Sequence, residues 1–366
     1  MHSLQLQAQA PADPPHWQVV QVTLPPPAAR EVQVRIITAS VNPIDLRRAS
    51  GYGRRVLGLK KAGTFPLVLG NDFVGDITAR GSQVQGLSVG SRVIGLRLTS
   101  GRGGTHVSLL NIDAAQVRPL PRERDPVASC TLPYSYTTMR LALAGAGLTP
   151  FNARGRQVLV HGASGALGQL ALQTLHAWGS EVTAICRTDD TPRCQSLGAQ
   201  NIVDRLQPAW RELPATFDVT LNFASWEEEA WLVQRLRPRA LGHATTVHPL
   251  LGHVDRLGWL RGARLAWRNF RQHRALARQT AGADCRYAWT VFRPDAQAMD
   301  DLATRLETSA WGLPVGLQVP LEQGRKAFRH MAAGGKGRAV LRCNSDDDSP
   351  GPATALPLTP PSRSAE

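Results

Sequence analysis

An α/β fold is predicted, with a doubly wound parallel sheet inserted into a β-rich domain of barrel type. Three observations predict it. Strand and helix patterns alternate from residue 157 to residue 247. Short strand patterns separated by glycine and proline turns fill residues 17 to 110. Two more strand patterns near the end of the chain have no sheet of their own. The 366 residues are enough for two cored domains.

Taken in order, Trp17 to Leu24 and Glu31 to Ala39 read as strands, the second alternating with period two. Leu67 to Gly70, Phe73 to Thr78, Arg92 to Leu96 and Thr105 to Leu110 add short strands. The pattern turns helical between Asp125 and Ala146. Then come strand 157–161, helix 166–178, strand 181–186, helix 192–197, strands 201–203 and 217–222, helix 226–236 and strand 240–247. This alternation implies a parallel sheet covered on both faces. A last strand at 285–292 precedes helix 295–308, strand 314–319, helix 322–333 and strand 338–343, and those last two strands are expected to rejoin the first domain. The expected organisation is a flexible N-terminus over 1–15 and a first barrel-type part over 16–129. A nucleotide domain over 130–293, a returning part over 294–343 and a disordered tail over 344–366 complete it.

The most informative stretch runs from Val158 to Gly168, VLVHGASGALG. An apolar strand leads into glycines 162, 165 and 168, and a helix follows. Such a turn lets backbone approach a dinucleotide pyrophosphate, while the helix N-terminus offers free N–H groups and a favourable dipole. Candidate contacts from this pattern are Gly162, Gly165 and Gly168.

The five cysteines are scattered with no C-x-x-C pair, which argues against a disulfide framework and a four-cysteine zinc lobe. No segment has the run of about 20 apolar residues needed to span a bilayer. A basic-then-apolar leader pattern is also missing, so a cytoplasmic location is the default expectation. The net charge of +14 comes largely from arginine spread along the chain and assigns no partner by itself.

From about residue 17 to 343 the chain resembles the medium-chain dehydrogenase/reductase superfamily, and within it the zinc-independent quinone reductase branch. The resemblance is carried by Ser40-Val41-Asn42-Pro43-Ile44-Asp45, by Phe65 to Asp72, by Gly162 to Gly168 and by Gly337-Arg338-Ala339-Val340-Leu341. A narrower resemblance is to the reticulon-4-interacting-protein group of NADPH oxidoreductases. It is carried by Ser50-Gly51-Tyr52-Gly53, Leu132-Pro133-Tyr134, Asp255-Arg256-Leu257-Gly258 and Arg286-Tyr287-Ala288-Trp289. The resemblance implies a GroES-like first domain, a Rossmann domain, and hydride transfer from NADPH to a quinone or enone. It also implies Thr138 beside the nicotinamide ribose, Ser164, Gly165, Ala166, Leu167 and Gly168 at the pyrophosphate, Asn222 and Phe223 at the next strand end, and Val247 beside the carboxamide. A homodimer through the 285–292 strand is typical of that family.

Zinc-dependent relatives hold their catalytic metal with cysteine, histidine and cysteine. The matching positions here are Asn42, Asn71 and Tyr134, poor donors for zinc, so no metal is expected. Without that Lewis acid an activated acceptor fits better than an alcohol. The second strand ends in Arg187 rather than in the acidic residue that binds an unphosphorylated ribose, and Arg205 follows the third strand. Both favour a 2′-phosphate, hence NADPH, over the bland reading of two surface arginines. Asn42, Tyr52 and Tyr134 are the candidate donors to the acceptor oxygen. Asp45 is read as a helix cap. One departure stands out: related proteins carry Asp-Asn-x-Gly-Gly where this chain has Asn222-Phe223-Ala224-Ser225-Trp226.

Residues 256–278 carry seven arginines with Trp259, Trp267 and Phe270 interleaved. A solvated helix face and a peripheral membrane contact both stay open; nucleic-acid contact is disfavoured because no binding module accompanies the charge. The rival functions are an enal or enone reductase and a non-catalytic NADPH-binding accessory or sensor protein.

Overall fold

The computed structural model describes residues 1–59, 61–98, 103–309 and 311–344. Strands β1 (His2–Ala8), β2 (Trp17–Thr23), β3 (Glu31–Val41), β4 (Leu67–Val68), β5 (Asp72–Arg80), β6 (Arg92–Leu96), β7 (Leu109–Asp113) and β8 (Val117–Pro119) come first. Next are β9 (Gln157–His161), β10 (Glu181–Cys186), β11 (Asn201–Asp204), β12 (Val219–Asn222), β13 (Gly242–Thr245) and β14 (Arg286–Trp289). β15 (Val315–Pro320) and β16 (Arg338–Arg342) close the series.

The described chain divides into two compact units. Met1–Tyr134 joins the residues from Arg293 onward, and Ser135–Phe292 forms the other unit. In the first, a seven-stranded sheet runs β15-β16-β3-β5-β6-β8, with β7 also paired to β3, and a smaller sheet runs β2-β1-β4. β3 is central because its β-branched run is buried on nearly every residue. Val32, Val34 and Ile36 pack in one core with Phe73 and Val93. Gly95 makes room for the Phe73 ring, since a Cβ there would lie 2.1 Å from it. The antiparallel pairing of β16 with β3 brings residues 338–342 back into this unit.

Residues 2–8, expected within a flexible N-terminus, instead form β1. Its seven residues pair with β2, and Leu6 and Ala8 are fully buried. The alternation Leu4, Leu6, Ala8 is the period-two signal of a half-buried strand. Of the expected tail, residues 345–366 lie outside the described residues.

The second unit holds a six-stranded, all-parallel sheet in the order β11-β10-β9-β12-β13-β14. The order reverses direction between β9 and β12, which is the switch point where α/β sheets bind ligands. Val158, Leu159 and Val160 of β9 are fully buried, as a central parallel strand requires. A long helical segment, Leu250–Ala281, is broken at Gly258, whose φ of 77° is left-handed. No helix among the described residues is long and apolar enough to cross a membrane.

Candidate functional site

The glycine turn sits where β9 ends. Gly162 has φ +83°, and its backbone lies against Phe223 and Ala224 at the end of β12. Gly168 packs on the turn so closely that a Cβ would meet the Gly162 carbonyl at 2.3 Å and Ala163 Cα at 2.5 Å. Gly165 caps the helix Ala166–Ala177 without any side-chain hydrogen bond. The first-turn N–H groups of Ala166, Leu167 and Gly168 are therefore left to an external acceptor. Gly165 itself donates its N–H back to Gly162 O at 3.1 Å, so its amide is not available. Ser164 is half-buried, and its carbonyl accepts from Gln169 Nε2 at 2.6 Å. This cradle fits a pyrophosphate.

The sheet brings the other cofactor candidates to the same edge. Arg187 follows β10 and Arg205 follows β11; both are exposed, and Arg205 N donates to Cys186 O at 2.8 Å. Asp204, at the end of β11, was not anticipated as a neighbour of these arginines. Its carboxylate accepts from the Thr188 hydroxyl and from Leu206 N, which holds its pKa below the ordinary value. Arg193 was missed as well. Its Nε donates to Gln169 Oε1 at 3.0 Å, beside the first turn of the glycine-capped helix. Val247 lies past the end of β13, and its N–H already points to Thr245 Oγ1 at 3.3 Å. Thr138 is buried on the helix Pro133–Gly145.

Asn222 does not face a ligand. It is fully buried, and its amide is spent inside the protein. Nδ2 donates to Ser225 O at 2.7 Å and to Glu229 Oε2 at 2.8 Å, while Oδ1 lies 3.1 Å from His161 Nδ1. Glu229, fully buried, accepts on Oε1 from His243 Nε2 at 3.1 Å and from the Tyr287 hydroxyl at 2.7 Å. Trp289 Nε1 donates to that hydroxyl at 2.9 Å, and Thr220 Oγ1 meets His243 Nδ1 at 2.7 Å. Burial alone would raise the Glu229 pKa, but His243, Asn222 and Tyr287 outweigh it and hold the carboxyl at about 2. His161 ends β9, immediately before Gly162, so this network reaches the phosphate turn. Sequence reading missed Glu229 and His243 because only the fold brings their strands and helix together.

The departure at 222–226 also finds its reason. Ser225 is extended, with φ −146° and ψ 146°, so no glycine is required there. The Trp226 ring packs 4.9 Å from His273 on the long helix and 5.6 Å from Trp289, centroid to centroid. The half-buried Phe223 donates its N–H to His161 O at 3.0 Å.

In the first unit, Asn42 caps the helix Pro43–Ala49 and is fully buried. Its Nδ2 donates to Ser40 Oγ and to Asp72 Oδ1, each at 3.2 Å. The expectation that Asn42 donates to a substrate oxygen is therefore corrected: its N–H groups are engaged by buried neighbours. Asp45 acts as a cap, accepting from Asn42 N at 2.8 Å and Gly70 N at 3.0 Å. Burial pushes the Asp72 pKa up to about 7, although the nearby Arg338 pulls it down. Arg338 is itself buried on β16, inside a segment that the sequence offered only as a family marker. Burial, then the charges of Asp45 and Asp72, raise the Tyr134 pKa. Tyr52 is half-buried in the following loop, with the Arg47 guanidinium 5.7 Å from its ring centre. Asn71 is buried, and its Nδ2 donates to Arg97 O at 3.1 Å.

Residues 28–122 match the alcohol dehydrogenase GroES-like domain. The chain is 30% identical over 331 residues to the reticulon-4-interacting protein 1, mitochondrial, of Caenorhabditis elegans, covering 85% of this chain and 88% of the relative. It is 29% identical over 325 residues to the human NAD(P)H oxidoreductase RTN4IP1, mitochondrial, covering 85% and 81%. The quinone oxidoreductase from Coxiella burnetii shares the fold, with a TM-score of 0.75, 16% identity, and coverage of 94% of this chain and 100% of that one. The mitochondrial designation of these relatives overturns the cytoplasmic location expected from the sequence. With its glycine cradle, parallel sheet and GroES-like domain, the chain belongs to the reticulon-4-interacting protein 1 family of NAD(P)H oxidoreductases in the medium-chain dehydrogenase/reductase superfamily, and it is an oxidoreductase that uses a nicotinamide cofactor.

Proposed function

We propose that this enzyme reduces a quinone, or another activated carbonyl or enone, with NADPH and without zinc. The observation that carries the reading is the pair of exposed arginines, Arg187 and Arg205, at the ends of neighbouring strands β10 and β11, beside the glycine turn on β9. A 2′-phosphate at that edge would be gripped by two guanidinium groups, each able to form charge-assisted bonds. The N–H groups of Ala166, Leu167 and Gly168 would hold the pyrophosphate, and Thr138 and Val247 would flank the nicotinamide end. The bound coenzyme supplies the hydride.

The chain itself must position the acceptor and stabilise charge on its oxygen. Tyr134 suits that role, because a phenol is protonated at neutral pH and can donate its O–H to an acceptor oxygen. Tyr52 is the second candidate donor. The side chains at the positions of the usual metal ligands are amides and a phenol, so no Lewis acid is called on to activate an alcohol. An acceptor that delocalises incoming charge onto oxygen matches that chemistry. A homodimer through the edge strand β14 belongs to the same reading.

Stopped-flow oxidation of NADPH and of NADH, with a quinone and an alkenal in parallel, tests this. NADPH should be preferred. Arg187→Ala should weaken NADPH binding on the order of 10- to 100-fold while leaving NADH unchanged. Equal use of NADH by the unaltered enzyme would remove the phosphate argument. Loss of turnover on chelation, restored by zinc, would remove the metal-free one.

A further inference from the structure

We propose that the helix following Gly258 is a docking surface for an anionic lipid bilayer. The inference stands on that helix alone and does not depend on the acceptor or the coenzyme.

Between Asp255 and Asp284 the chain contains no acidic residue. Within that interval, Arg261, Arg264, Arg268, Arg271, Arg274 and Arg278 follow one another at steps of three or four, and all six are exposed. Such spacing puts them on one face of the helix. None of the six forms an ion pair among the described residues. Two large apolar side chains share the face: Leu260 is 89% exposed and Trp267 is 59% exposed.

The opposite face is already committed. Ala277 and Ala281 pack into a core with Val233, Leu236 and Tyr287, with Phe270 against it. His273 packs on Trp226. The helix is thereby fixed with its arginines outward, and rotation to bury them would break that packing. Six like charges held on one face without counter-ions cost self-repulsion, and an anionic partner relieves it. Exposed tryptophan and leucine among the arginines favour a partner with an apolar layer just beneath its charges, which a bilayer interface offers. A nucleic acid lacks that layer.

Flotation of the full chain with phosphatidylcholine vesicles, with and without phosphatidylglycerol, is the test. The protein should float with the anionic vesicles only, and should be released at about 1 M salt, where the screening length falls to about 3 Å. Replacing Arg264, Arg268 and Arg271 together by glutamine should weaken partitioning on the order of 100-fold. NADPH titration of the variant should be unchanged, which checks that it folds. Should it not fold, Arg274→Gln with Arg278→Gln gives the same reading from the other end of the face. The proposal is overturned by equal flotation on neutral vesicles, by none on anionic ones, or by an unaffected variant. It is also overturned if an RNA oligonucleotide competes the protein off the vesicles, or if sedimentation shows a dimer that the glutamine variant dissociates.

Discussion

Two fully buried carboxylates, one in each unit, are driven in opposite directions. Asp72 accepts hydrogen bonds from a hydroxyl and an amide, and its pKa rises to about 7. Glu229 accepts from an imidazole, a phenol and an amide, and its pKa stays at about 2. Desolvation is the largest single influence on both. The difference lies in the partners: Glu229 has a hydrogen-bonded imidazole and a phenol, whereas the charge near Asp72 is a buried arginine countered by Asp45. Burial sets the cost of a charge, and the number and kind of its donors decide whether it is kept.

Removing Glu229 should have the largest effect. Glu229→Ala would leave His243 and Tyr287 without their acceptor and should cost about 3–5 kcal/mol of stability by chemical denaturation. In the unaltered protein this carboxyl has a native pKa below its ordinary 4.5. Its contribution is present above pH 4.5 and should be lost as pH falls towards 2. An acid titration of the variant that still showed that loss would break the comparison.

Asp72→Asn should act with the opposite sign. A native pKa raised from 3.8 to about 7 means the folded protein binds the extra proton in that window, so stability should fall as pH rises across it. The slope from one such group is at most about 1.4 kcal/mol per pH unit, and the asparagine variant should flatten it. Melting curves at several pH values would measure this. The smallest effect is expected from Tyr287→Phe, which removes one of the donors to Glu229 and should cost about 1.5–3 kcal/mol. It should also raise the pH at which acid unfolding begins; no shift would mean that the His243 imidazole and the Asn222 amide hold the charge without it.

The sequence made some of this legible. The glycine turn is a local pattern, with strand, turn and helix contiguous, so it could be read directly. The cap role of Asp45 is likewise local, three residues from Asn42. Side-chain direction was not legible. Asn222 ends a strand at the ligand edge, yet its amide turns inward to Glu229, seven residues on, and to His161 of another strand. The role of Trp226 also depended on a distant helix. β1 was overlooked for a different reason: the prolines that follow it suggested disorder, while its own alternation of apolar and polar residues was sufficient.

The contact between His161 and Asn222 has a consequence for how this enzyme can change over time. One amide links the acid resistance of the fold to the seat of the coenzyme, so substitutions that loosen the first should slacken the second. The aspartate that related proteins carry at this position has no amide N–H to give Glu229, so the coupling through Asn222 belongs to this chain's own sequence.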